Sequence, residues 1–139
     1  MEPSISSQKL HHVGFVVASI RDVIDHFAQS VDGTWDGRLI HDPLQCVHVA
    51  FIKTCCPQDP MLELVEPAGE NSPVSKIMKK GGGFHHLCYE ADDLEKQLKK
   101  SREKGGLIVR PPLPAVAFDG RRIAWVYTPE HLLLEYLER

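Results

Sequence analysis

The chain has 139 residues, of which 42% are hydrophobic and 25% charged, and its formal net charge is -3. That length suits one domain, 1–139, whose core can fold without staples. The mild acidity gives no electrostatic case for nucleic acid or an anionic membrane as a partner. No apolar run approaches the roughly 20 residues of a spanning helix. The opening MEPSISSQKL lacks the charged and apolar regions of a secretory leader, so none is expected there. Cys46, Cys55, Cys56 and Cys88 form no CxxC pair. They are expected to be free thiols in a reducing compartment, the cytoplasm, rather than a zinc knuckle.

Leu10 to Ala18 is rich in Val and Phe and predicts a strand. Ser19 is an N-cap candidate, and Ile20, Val23, Ile24 and Phe27 follow as the stripe of an amphipathic helix. VDGTWDG reads as a break. GRLIHDPLQCVHVAFIK reads as two strands around an Asp-Pro turn, and MLELVEP, Met61 to Pro67, as another strand. In the connector, Ser72 is expected to cap a short helix with Pro73 at its first position, and Gly81 to Gly83 to end it. FHHLCYEA then begins a second round. Asp92 is expected to cap a helix carrying Leu94 and Leu98, which Gly105 and Gly106 end. Further strands follow, with Asp119-Gly120 as a tight hairpin turn and HLLLEYLE as the last strand.

The order is strand, helix, three strands, twice over. Module one spans about 9–67, the connector 68–82 and module two about 83–138. His12 lies 74 residues before His86, and Glu63 lies 72 before Glu135. Each half opens with His-His and closes on a Glu in a Leu-rich strand. Strand side chains alternate between faces. Alternation puts His11 with Val13, Phe15 and Val17, and His85 with Leu87 and Tyr89, on a face packed under a helix. It turns His12 and His86 the other way. A buried carboxylate needs a partner, so two sheets facing each other would gather His12, Glu63, His86 and Glu135. Such a two-His, two-carboxylate set suits a divalent first-row metal ion. For any one residue taken alone, a satisfied core histidine or a solvated glutamate is the simpler reading.

LHHVGF, LELVEP, GGGFHHLCYE, AFDGRRIAWVY and LLLEYLE, in this order, resemble the vicinal oxygen chelate superfamily, over about Lys9 to Glu138. Within it the chain is similar to the glyoxalase I and methylmalonyl-CoA epimerase branch. The resemblance implies an α+β fold of two βαβββ modules, whose curved mixed sheets surround a metal site with helices outside. It implies His12, Glu63, His86 and Glu135 as ligands of one divalent ion, with nickel, cobalt or zinc first. It implies Glu135, then Glu63, as the proton-transfer base. The shared chemistry is removal of a proton α to a carbonyl through a metal-stabilised enediolate, with return to the neighbouring carbon (glyoxalase) or to the same carbon on its opposite face (epimerase).

The short VYTPEHLLLEYLE ending and an absent carboxylate near the third strand, where QCVHVAF offers Gln45 and His48, depart from the epimerase pattern. The expectation is therefore a glyoxalase I-like lyase acting on a small hemithioacetal or thioester, with a thiol such as glutathione as co-substrate. The alternatives are a methylmalonyl-CoA epimerase-like enzyme and a non-catalytic bleomycin-resistance-like binding protein. An extradiol-type dioxygenase is disfavoured by the extra carboxylate, Glu63. His48, Arg121 and Arg122 are candidate substrate contacts, against edge and solvated readings. A homodimer fits this architecture, because its sheet edges often pair. The triple glycine precedes a strand, so it is a joint rather than a phosphate cradle.

Overall fold

The computed structural model describes residues 8–139, so most of the MEPSISSQKL opening, where no secretory leader is expected, lies outside the described residues. In chain order the elements are β1 (Leu10–Val16), α1 (Ile20–Ser30), β2 (Thr34–Trp35), β3 (Ile40–Asp42), β4 (Val47–Lys53), β5 (Met61–Pro67), α2 (Ser75–Lys79), β6 (Gly83–Ala91), α3 (Leu94–Glu103), β7 (Leu107–Pro114), a 3-10 turn (Val116–Phe118), β8 (Arg122–Tyr127) and β9 (Leu133–Glu138). The fold is α+β and built from two βαβββ modules, as expected. Among the described residues no helix is long and apolar enough to cross a membrane.

The strands form one continuous mixed sheet rather than two facing sheets, in the order β2-β4-β5-β1-β6-β9-β8-β7, with β3 on β4. Each module pairs its first and last strands in parallel, β1 with β5 and β6 with β9. The modules join where β1 meets β6 antiparallel. The registers repeat across this seam: Gly14 lies opposite Glu63, and Cys88, 74 residues on, lies opposite Glu135. The sheet curls on itself. Arg110 on edge strand β7 donates to the Leu44 carbonyl in the β3–β4 turn at 3.4 Å, and the Phe51 and Phe118 rings meet at 5.7 Å.

The helices cover the outer face. Ser19 caps α1 by accepting the Asp22 N–H, and Ile20, Ile24 and Ala28 are buried against Ala50, Ile52 and Leu64. Each such Ile or Leu contributes about 1.5–3 kcal/mol on burial. In α3, Leu94 and Leu98 pack on Ala124, Val126 and Tyr136. Its cap is Asp93, not Asp92: the Asp93 carboxylate accepts the Lys96 N–H at 3.0 Å.

Three further expectations change. VDGTWDG holds β2, because half-buried Trp35 packs on the α1 core and pairs with Ile52. The connector helix begins at Ser75, two residues later than Pro73 suggested. Ser72 accepts the Val74 N–H inside a run of turns and caps nothing. Asp119 and Gly120 do take left-handed conformations, φ 55° and 83°. They close a longer connection through the 3-10 turn, in which Ala115 exchanges hydrogen bonds with Gly120 and Arg121.

Candidate metal centre

The inner face of the curl holds the site, and two strand irregularities shape it. Along β1, Leu10 pairs with Tyr89 and His12 with Cys88, leaving His11 unpaired. Along β6, Gly14 pairs with His86 and Phe15 with Phe84, leaving His85 unpaired. Each is a β-bulge, which inserts one residue and resets the alternation. Both histidines of each pair therefore turn toward the inner face. His11 stands edge-on to Phe118 at 5.4 Å, and His85 lies 6.0 Å from Trp125 in the cavity wall. This overturns the expectation that His11 and His85 pack under helices. Strict period-two reading cannot see an inserted residue. Phe15, Val17 and Tyr89 do pack toward the helices.

His12, Glu63, His86 and Glu135 come together, each at most 5% exposed. The His12 and His86 Nε2 atoms face each other at 3.1 Å. Glu135 Oε1 lies 3.0 Å from His12 Nε2 and 3.3 Å from His86 Nε2. Glu63 Oε1 lies 3.5 and 3.2 Å from the same two atoms. Their ligand atoms all fall within 4.8 Å of one another. Glu135 Oε1 is buried with no hydrogen aimed at it, and two imidazole nitrogens converge on one point. Unpaired buried acceptors are costly, and one divalent cation would satisfy all four. The donor set, two neutral nitrogens and two anionic oxygens, fits such an ion.

The electrostatics agree. Burial alone would raise the Glu63 and Glu135 carboxyls, but the two histidines hold Glu63 down to about 2 and Glu135 lower still. Burial opposes charge on His12 and His86, yet the two glutamates raise both. Without a cation the cluster thus gathers protons. His11 and His85 lie outside this exchange: burial, and then the charge of the neighbouring histidine, lowers each to about 4. Burial also pushes the Cys88 thiol up, so it stays protonated beside His12.

Backbone space matters at Gly14. A Cβ there would run into the His86 ring, so glycine lets that imidazole lie flat on β1. At Gly82, φ is +71° and a Cβ would meet the Val16 carbonyl, so the joint between modules also requires glycine.

A cavity of about 320 Å³ opens from the cluster. Its wall is largely apolar, with Val47, Val65, Ile77, Phe118 and Trp125 among its residues. Asp42, Gln45 and Arg110 are polar exceptions. Asp42, 4% exposed, was missed because it reads as a turn former. It is one: its Oδ1 accepts the Leu44 and Gln45 N–H groups at 3.0 and 3.2 Å. Asp42 nonetheless lines the cavity. Arg110 was missed too, though a charge within the IVRPP strand was a signal.

The expected substrate contacts lie elsewhere. Val47 and Val49 line the cavity, so His48 between them points away, stacked on His41 at 4.7 Å and 3.6 Å from Glu66. Arg122 is held by Glu138 and Glu95, at 2.6 and 2.7 Å, on the outside. Arg121 sits 5.9 Å above the Phe118 ring and does not line the cavity.

Residues 11–125 match the model of the Glyoxalase/Bleomycin resistance protein/Dioxygenase superfamily. An ethylmalonyl-CoA/methylmalonyl-CoA epimerase of Cereibacter sphaeroides is 26% identical over 121 residues, covering 86% of this chain and 87% of that one. The crystal structure of a hypothetical protein from Bacillus halodurans superposes with a TM-score of 0.82 at 30% identity, covering 96% of both chains. A variant methylmalonyl-CoA epimerase of Streptomyces coelicolor, in complex with 2-nitronate-propionyl-CoA, has the same fold. Its TM-score is 0.79 at 23% identity, with 96% of this chain and 98% of that one covered. The named relatives among these are epimerases rather than glyoxalase I enzymes.

Proposed function

The chain belongs to the glyoxalase/bleomycin resistance protein/dioxygenase superfamily, and from that premise we propose that it is a metal-dependent acyl-CoA epimerase. It would take the proton α to a thioester carbonyl and return it on the opposite face. The observation that carries this reading is Asp42, a further buried carboxylate residue of the cavity wall that is not one of the four clustered groups. Inversion needs one group to remove a proton and another to deliver one from the far side. Transfer between neighbouring carbons does not.

In this mechanism Glu135 is the first base, with Glu63 the second choice for that role. The histidines keep both glutamates ionised, and both border the cavity. Asp42 would serve the opposite face, its Oδ1 already fixed by two N–H groups. Val47, Val65 and Ile77 keep water from the carbanion, which strengthens every charge interaction there. Arg110 would pair with an anionic part of the substrate, a malonyl-type carboxylate or a phosphate. A divalent cation held by His12, Glu63, His86 and Glu135 would supply Lewis-acid stabilisation of the charge developing on the thioester oxygen. Free thiols at all four cysteines support a reducing, cytoplasmic setting.

The second reading is a glyoxalase I-like lyase, supported by the short β8–β9 connection, residues 128–132. The two separate in deuterated water. The cobalt-loaded protein is given methylmalonyl-CoA in one arm and the methylglyoxal–glutathione hemithioacetal in the other. Inversion with deuterium at the α carbon supports the epimerase. Turnover of the hemithioacetal alone replaces it with the lyase, and a loaded protein inert in both arms rejects both.

A further inference from the structure

Two histidines beside the cluster remain that the proposed chemistry does not use. His11 and His85 occupy the bulges in β1 and β6, one residue before each ligand histidine. Each points its Nδ1 at the Nδ1 of its neighbour, at 2.8 Å in both halves. The ring planes cross at 78° and 89°, so the edge of one imidazole meets the edge or face of the next. We propose that His11 and His85 are positioning residues of the metal centre, each accepting the Nδ1–H of the adjacent ligand and thereby fixing its tautomer and orientation.

The proton inventory leads there. His12 and His86 turn their Nε2 atoms toward the cluster centre. A neutral imidazole carries one N–H, so a nitrogen that gives its lone pair to a cation leaves the proton on the other. For both ligands that other nitrogen is Nδ1, and both are buried. A buried N–H without an acceptor is costly. In each half the Nδ1 of the bulged histidine lies within hydrogen-bond distance of the ligand's Nδ1. His11 and His85 must then carry their own protons on Nε2.

The bulges acquire a purpose in this arrangement. Without the inserted residue, alternation would send His11 and His85 to the helix side, and the ligands would lose these acceptors. A bulge disrupts ladder pairing locally, and this chain holds one at the same place in both halves. The acceptors are also unusual in charge. Ligand histidines commonly donate to a carboxylate or a carbonyl. A neutral imidazole pushes less electron density onto the ligand than a carboxylate would, which leaves the cation a stronger Lewis acid.

The test uses the metal-loaded full chain. In the zinc-loaded wild type, nitrogen–proton correlation NMR should show His12 and His86 as Nδ1–H tautomers. Nε2–H tautomers at either ligand would overturn the proposal. Replacing the acceptor by an isosteric carbon, His11→Leu or His85→Leu, should weaken cobalt(II) binding about 10–100-fold and alter the visible cobalt spectrum. His11→Asn and His85→Asn keep an acceptor where Nδ1 stood and should restore binding to within about threefold of wild type. Leu variants that bind cobalt as wild type does, or Asn variants as weak as the Leu ones, would overturn the positioning role while leaving the substrate reading untouched. A wild type that binds no cobalt would overturn the metal centre itself.

Discussion

Across the β1–β5 ladder Gly14 faces Glu63, and across β6–β9 Cys88 faces Glu135. The register is the same in both modules and the residue is not. Gly14 leaves room for the His86 ring, whereas the Cys88 thiol sits beside His12. Farther out the halves diverge more. The first lends the cavity the β3–β4 turn with Asp42. The second lends it Phe118 and Trp125. Backbone register thus sets the four-residue cluster with near two-fold symmetry, while the walls are asymmetric. In the proposed epimerisation that asymmetry would place different groups on the two faces of the substrate carbon.

The largest effect should come from asking which half supplies the base. Glu135→Gln is expected to lower epimerisation about 1,000-fold, and Glu63→Gln about 10–100-fold. Deuterium exchange at the substrate α carbon measures both. A larger loss at Glu63 would assign the base to the first half. The next contrast is steric. Gly14→Ala drives a methyl group into the His86 ring and should destabilise the fold by about 1–3 kcal/mol, as overpacking does, with weakened cobalt binding. Cys88→Ala, at the matching register position, should cost only about 1 kcal/mol and leave cobalt binding near wild type. Equal losses from the two would mean that Gly14 is not shaped around His86.

The pH response separates the protonated cluster from the metal-loaded one. In chelator, the raised pKa values of His12 and His86 give stabilisation that is full below 6.5 and lost as pH rises through the folded values. Glu63, held at about 2 against 4.5, contributes fully above 4.5 and loses that contribution as pH falls toward 2. The chelated protein should therefore melt at a lower temperature at about pH 8.5 than at about pH 6. Cobalt needs deprotonated ligands, so with cobalt the melting temperature should rise over the same interval. Slopes of the same sign would remove the cluster as the cation site.

How much of this was legible in the sequence follows from which signals are local. Module order, the α1 stripe and the four-residue cluster could be read, because period-two and helical patterns, and the paired offsets, survive in the chain itself. The inner-face placement of His11 and His85 could not. A bulge is visible only when two strands are aligned, and the partner of β1 is β6, more than 60 residues away. Asp42 was hidden by doing two jobs, since its turn chemistry fully accounts for an Asp before Pro43. Arg122 misled for the opposite reason: its partners Glu95 and Glu138 come from α3 and β9, and only the fold brings them to it.

The smallest effect should be at that arginine, and it sharpens the contrast between cavity wall and outer face. Arg110 and Arg122 lie on adjacent strands of the second module, β7 and β8. Arg110 borders the cavity and reaches across to the Leu44 carbonyl of the first half. Arg110→Ala should raise KM for the acyl-CoA about tenfold, roughly one charged contact, with kcat little changed. Arg122 is partly exposed and already bound to two carboxylates. Surface ion pairs of this kind contribute little, because water competes for both partners. Arg122→Ala should leave KM, kcat and cobalt binding unchanged, with at most a slight fall in melting temperature. Steady-state kinetics on the two variants decides the matter: a KM effect at Arg122 without one at Arg110 would place substrate on the outer face and take the cavity out of the mechanism.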